Sequence, residues 1–184
     1  MAALNPVTKC RDTLFVTIAK PEDYDTLHKT AALWQKIADA KKATAPLKWP
    51  STSLLWDSVY TNQRFQYLLG KELPPSAEVY VCKDSDQRIQ GLCLAYLQED
   101  GLEIETLATH PHNLASPLNN SEEHRAKGTG SALIAYAEQR AAEFGSARIY
   151  LSYTDSALHF YKKLGFEMVD FKVLSKPVTL QKAS

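Results

Sequence analysis

The chain has 184 residues, with Lys+Arg 21 balanced by Asp+Glu 21, and is 45% hydrophobic and 23% charged. That length predicts a single domain over residues 1–184 and is short for two. Charge neutrality removes the electrostatic ground for nucleic acid or an anionic membrane as a bulk partner. No stretch has the apolar length of a signal segment or a membrane span, so the expectation is a cytoplasmic globular protein.

Leu14 to Ile18 reads as a first strand. A helix opens at Pro21 with Glu22, Asp23 and Asp25 in its first turns, which suits the helix dipole. Leu27, Ala31, Trp34 and Ala38 recur at helical spacing and predict its buried stripe. A loop with Pro46, Trp49 and Pro50 leads to a second helix, capped by Ser51 or Ser53 and ended by Gly70, with Leu55, Val59, Leu68 and Leu69 inward.

After Pro74-Pro75 the period changes to two. Glu78 to Lys83, Ile89 to Gln98 and Leu102 to Thr109 read as an antiparallel meander, with a turn at Asp84 to Gln87 and a hairpin signal at Asp100-Gly101. A polar stretch from His110 to His124 follows. Arg148 to Tyr153 is the next strand, Ala157 to Leu164 a short helix stopped at Gly165, and strand-like runs around Phe171 and Val178 close the chain. Cys82 and Cys93 fall in apolar strand patterns; with Cys10 they form a scattered set without CxxC spacing, which predicts buried free thiols in a reducing compartment.

The run Arg125-Ala126-Lys127-Gly128-Thr129-Gly130-Ser131 ends where a helical pattern begins, with Leu133, Ala137, Ala141 and Phe144 as its apolar stripe and Gly145 as its stop. Two cations and two glycines therefore sit where a helix exposes its first unpaired N–H groups, a ready-made anion site. Gly128 and Gly130 let the backbone turn its amides toward a phosphate. The order of elements predicts a mixed sheet covered on both faces.

Three motifs in that order resemble the GNAT superfamily of acyl-CoA-dependent N-acetyltransferases. Arg125, Gly128 and Gly130 fit its pyrophosphate motif. Ala157, Phe160, Tyr161, Leu164, Gly165 and Phe166 fit its Ala-x-x-Phe-Tyr and Leu-Gly-Phe signature. Leu107, Ala108, Thr109 and Pro111 fit its strand-ending pattern. The motifs cover roughly Glu78 to Phe166, and the earlier strand and two helices agree by order only. The sequence departs from the family in the His112 to His124 insertion.

The resemblance implies a mixed α/β fold: a mostly antiparallel central sheet of about six to seven strands with helices on both faces. It implies acetyl-CoA as co-substrate, an amine acceptor (a small molecule or a protein amine) and direct transfer in a ternary complex. It leaves a homodimer open, and a non-catalytic CoA-binding sensor or interaction module is the alternative. A lysine-like amine costs about 4–5 kcal/mol to deprotonate at neutral pH, so a base or a dry pocket is needed. Glu103 and Glu105, two apart on one strand, are the candidate bases, with Glu105 favoured; the competing reading is a pair of solvated strand carboxylates.

Tyr161 matches the family's proton donor to the departing thiolate. Gly128, Thr129, Gly130 and Ser131 would cradle the pyrophosphate with Arg125 and Lys127, and the backbone of Leu107, Ala108 and Thr109 would pair with the pantetheine arm. Thr154 stands where many relatives place an Asn on that arm. His110, His112 and His124 give a weak zinc pattern, and the expectation is no metal. Lys36, Lys41, Lys42 and Lys48 read as a solvated face; Trp49 and Trp56 read as core or as lining of the acceptor pocket.

Overall fold

The computed structural model describes residues 13–44, 51–113 and 126–180. Cys10, Pro46, Trp49, Pro50, Arg125, His124 and the insertion beyond Asn113 lie outside them, as do the side chains of Ser51, Ser53 and Leu55.

A seven-stranded sheet is ordered β1-β2-β3-β4-β5-β7-β6. The strands are β1 (Phe15–Ile18), β2 (Ala77–Lys83), β3 (Ile89–Leu97), β4 (Leu102–Thr109), β5 (Arg148–Ser152), β6 (Glu167–Asp170) and β7 (Val173–Pro177). All neighbours are antiparallel except β4 and β5. The mixed sheet with two covered faces is the expected fold class.

One face carries α1 (Tyr24–Thr44) and α2 (Ser51–Leu69). Leu27, Ala31, Trp34 and Ala38 are buried there, as their spacing predicts, together with Phe65 and strand residues Val79, Val81, Leu92 and Leu94. The helix begins later than predicted: Pro21–Asp23 form a 3₁₀ turn in which Asp23 accepts the Lys20 N–H at 3.1 Å. The other face carries α3 (Thr129–Glu143) and α4 (Leu158–Lys163). Leu133, Ala137 and Ala141 pack there on Cys82, Cys93, Ile104 and Ile149. Each such large side chain contributes roughly 1.5–3 kcal/mol by leaving water. Arg140 ties α3 to the sheet, donating to the Glu78 carboxylate at 2.5 and 3.1 Å, while the Tyr80 hydroxyl donates to the same carboxylate at 2.9 Å.

Four local expectations are corrected. Phe144 is not core: it caps the end of α3, is 49% exposed, and lies under the Arg140 guanidinium. Phe171 is not in a strand but in the β6–β7 turn, 85% exposed. The last strand ends at Pro177, before Val178. The β3–β4 hairpin pairs Gln98 with Gly101 and puts Glu99-Asp100 at its tip, one residue earlier than the Asp-Gly signal. Gly101 is required by crowding, since a Cβ there would meet the Arg148 carbonyl oxygen at 2.6 Å and the Tyr150 ring at 2.7 Å.

The turn from β2 to β3 is built on Asp84, 5% exposed. Its Oδ1 accepts the N–H groups of Asp86 (2.9 Å) and Arg88 (3.0 Å), and its Oδ2 accepts from Arg88 Nε (3.0 Å) and Gln90 Nε2 (2.7 Å). Burial alone would raise this carboxyl; the hydrogen bonds from Arg88 and Gln90 outweigh it and hold it below the usual carboxylate range. A depressed folded pKa means stabilisation present above about pH 4 and lost as pH falls through the folded value. Asp84→Asn should therefore flatten the acid limb of stability, read by thermal unfolding from neutral pH to about pH 3. An unchanged acid limb would remove Asp84 from that role.

Candidate active site

Helix α3 starts earlier than the glycine pattern suggests, at Thr129, with Gly128 as its N-cap. Gly128 has φ +92°, the left-handed region that a side chain disfavours. Gly130 is already helical and serves a different end: a Cβ there would touch Phe160 Cζ at 3.0 Å. The first helical bond is Ala132 N–H to the Gly128 carbonyl at 2.8 Å. Ahead of it, the N–H groups of Thr129, Gly130 and Ser131 have no intrahelical acceptor, and the positive helix end adds to them. The Thr129 hydroxyl donates to the Ala126 carbonyl at 2.9 Å, and Lys127 lies between these two anchors. A residue not singled out by the sequence, Gly91 of β3, lets this turn dock: a Cβ there would lie 2.4 Å from Thr129 Cγ2.

The cradle opens onto a gap in the sheet. Strands β4 and β5 pair only through Leu102–Ile149, Glu103–Tyr150 and Ile104–Leu151, and then part. The gap is part of a cleft of about 770 Å³. Its walls bring together Leu107, Ala108 and Thr109 of β4, the cradle, Thr154, Phe160, Tyr161 and the α2 face bearing Asp57, Thr61 and Arg64. Beyond the parting, among the described residues, β4 has a strand partner only in β3, as an arm that pairs like a strand would need.

β4 carries a bulge. Leu94 pairs with Thr106 and Ala95 with Ile104, which leaves Glu105 as the extra residue. Upstream, Leu102 and Ile104 pack under α3; downstream, Ala108 packs under α1 and α2. Glu103 lies opposite Tyr96, whose ring packs toward α1 and α2, and Glu105 meets Arg64 of α2. Both glutamates line the cleft. Glu105 Oε1 accepts from Arg64 Nε at 2.9 Å and also from Nη2, and Arg64 does not engage Oε2. Among the described residues, Glu103 accepts a single long bond, from Gln98 Nε2 at 3.4 Å.

Tyr161 is 8% exposed, with its ring edge-on to Phe160 and Phe166. Burial, assisted by nearby Cys93, pushes its hydroxyl well above the ordinary phenol range, so it stays protonated. Thr154 Oγ1 lies 3.3 Å from Ser156 Oγ, and the Ser156 hydroxyl donates to Asp57 of α2, joining the two walls of the cleft. Cys82 and Cys93 are buried and lie off the cleft; burial pushes the Cys82 thiol up to about 12 and raises Cys93 too.

Two other expectations resolve elsewhere. Trp56 neither fills the core nor lines the cleft: it is 59% exposed with Lys42 Nζ 3.7 Å from its ring centre. His110 and His112 stack at 5.0 Å between Trp34 and Lys41; His110 Nδ1 takes the His112 N–H at 3.2 Å, and Lys41 Nζ lies 3.2 Å from His112 Nδ1. Among the described residues, no group of three or more His, Cys, Asp or Glu is arranged to hold a metal ion. No described helix is long and apolar enough to cross a membrane.

A mixed sheet that parts between its fourth and fifth strands over a glycine-capped helix is the architecture of the GNAT fold. The Acetyltransferase (GNAT) domain description matches residues 75–168, and the chain belongs to this family. No curated protein matches the chain in sequence. Among solved structures it is similar to PaiA N-acetyltransferase from Thermoplasma acidophilum in complex with coenzyme A: 15% identity over 89% of this chain and 98% of that one, TM-score 0.55. It is similar to histone acetyltransferase HPA2 and related acetyltransferase from Corynebacterium glutamicum, with 18% identity over 91% and 98% and TM-score 0.54. An acetyltransferase of the GNAT family from Listeria monocytogenes matches at 16% identity over 94% and 99%, TM-score 0.53. Such identities speak to the fold alone.

Proposed function

We propose that this protein moves an acetyl group from acetyl-CoA to a primary amine by direct attack in a ternary complex. The observation that carries this reading is one continuous cleft joining the Gly128 cradle to Tyr161 and to the carboxylates of Glu103 and Glu105. Acetyl-CoA supplies the activated thioester. The N–H groups at Thr129, Gly130 and Ser131, with Lys127, suit its pyrophosphate. The one-sided backbone of Leu107 to Thr109 suits the pantetheine arm, beside Thr154.

Glu105 Oε2 takes a proton from the acceptor ammonium, directly or through water. The neutral amine then attacks the thioester carbonyl: a C–N bond forms, the nitrogen releases its second proton to water, and the C–S bond breaks. Tyr161 donates its hydroxyl proton to the departing sulfur, and the phenolate takes back a proton from solvent. Burial of both described thiols off the cleft favours this route over an acyl-cysteine.

Thiol release from acetyl-CoA in the presence of small amines, polyamines and peptides tests the reading. Tight CoA binding with no turnover on any amine would replace it with a sensor. Within an active system, Glu105→Gln should lower kcat about a hundredfold and Glu103→Gln less than about tenfold. The reverse order would assign the base to Glu103.

A further inference from the structure

A side chain from outside the cradle braces it. Asn113 ends the 3₁₀ turn Pro111–Asn113 that follows β4, and it borders the cleft. Its Oδ1 accepts the N–H of Ala126 at 2.9 Å. Its Nδ2 donates to Gln90 Oε1 at 3.1 Å, with a longer contact of 3.4 Å to the Gln90 carbonyl. Gln90 is 3% exposed, accepts the His110 N–H on its carbonyl at 2.9 Å, and donates its own side-chain amide to Asp84.

Ala126 is the first described residue of the cradle, 4% exposed, and its carbonyl takes the Thr129 hydroxyl. One continuous set of hydrogen bonds thus runs from the β2–β3 turn through Gln90 and Asn113 to the first turn of α3. The position demands an acceptor at one end and a donor at the other. A carboxylate offers no donor for Gln90, and an apolar side chain leaves the Ala126 N–H buried without a partner.

We propose that Asn113 is a positioning residue for the donor nucleotide: by fixing the Ala126 peptide it fixes where the N–H groups of Thr129, Gly130 and Ser131 point. This rests on reading the cradle as the seat of the acetyl-CoA pyrophosphate. It predicts an effect confined to donors that carry a pyrophosphate. Asn113 touches no reacting atom.

The test compares kcat/KM for acetyl-CoA and for S-acetylpantetheine, which has the same thioester and no pyrophosphate. Asn113→Ala should lower kcat/KM for acetyl-CoA about tenfold or more, mainly through KM, and leave S-acetylpantetheine within about twofold. Equal losses on both donors, or no loss on either, would overturn the proposal. Gln90→Met removes the side-chain acceptor that orients Asn113 while keeping its bulk, and should give a smaller loss in the same direction. If Asn113→Ala does not fold, a Gln90→Met protein with unchanged donor preference overturns the proposal on its own. Failure of the unaltered protein to bind CoA at all, by calorimetry, would overturn the function first and this role with it, a result distinct from a variant that binds normally.

Discussion

Tyr161→Phe should lower kcat by about a hundredfold or more while CoA affinity stays within about twofold, the range for loss of a positioned proton donor. The substitution removes one oxygen from a side chain whose ring is gripped on two edges by Phe160 and Phe166, so the packing that seats α4 survives. Burial keeps the phenol protonated across the neutral range, which makes it a steady hydrogen-bond donor to a sulfur that gains charge as the C–S bond breaks. The stabilisation exists only as that charge develops, so kcat should fall and donor binding should not. Stopped-time thiol release gives kcat, and calorimetry with CoA gives affinity. Unchanged turnover would remove Tyr161 from the chemistry.

Gly91→Ala should weaken CoA binding about tenfold or more, although Gly91 lies in the body of β3. The added Cβ would sit 2.4 Å from Thr129 Cγ2, 2.9 Å from Leu133 Cδ1 and 3.4 Å from the Ala108 carbonyl oxygen. The strand is paired on both sides here, to Cys82 and to Thr109, so the helix must give way. Overpacking of this kind costs roughly 1–3 kcal/mol, and a lower Tm by roughly 2–12 °C should accompany it. Thr129→Ser removes the methyl that collides and keeps the hydroxyl that bonds Ala126. The double substitution should therefore recover part of both losses, a coupling that independent sites would not show. Full CoA affinity in Gly91→Ala alone would sink the argument.

What the sequence disclosed follows the reach of each signal. The stripe from Leu27 to Ala38 was legible because one helix face must be apolar whatever it packs against, and the Gly128 cradle because its conformational demand is local. The bulge at Glu105 was hidden: burial alternates through Leu102, Ile104, Thr106 and Ala108 without a break, although the strand changes the core it feeds. Arg64 and Asp57 were hidden for another reason. Their partners Glu105 and Ser156 lie 41 and 99 positions away, and no periodicity carries information over that distance. Gly91 carries no local conformational signal either, and the Asp100-Gly101 hairpin signal gave another reason for Gly101; each is needed because another element passes too close for a Cβ. The family resemblance pointed to the motif residues and was silent on these supports.

The hydrogen bond from Ala126 to Asn113 has an entropic consequence as well. It ties together two residues 13 positions apart in the chain. Lengthening a loop whose ends are already tied adds little: each doubling costs only about 0.6 kcal/mol in closure entropy. The number of residues between positions 113 and 126 thus enters that closure term only logarithmically.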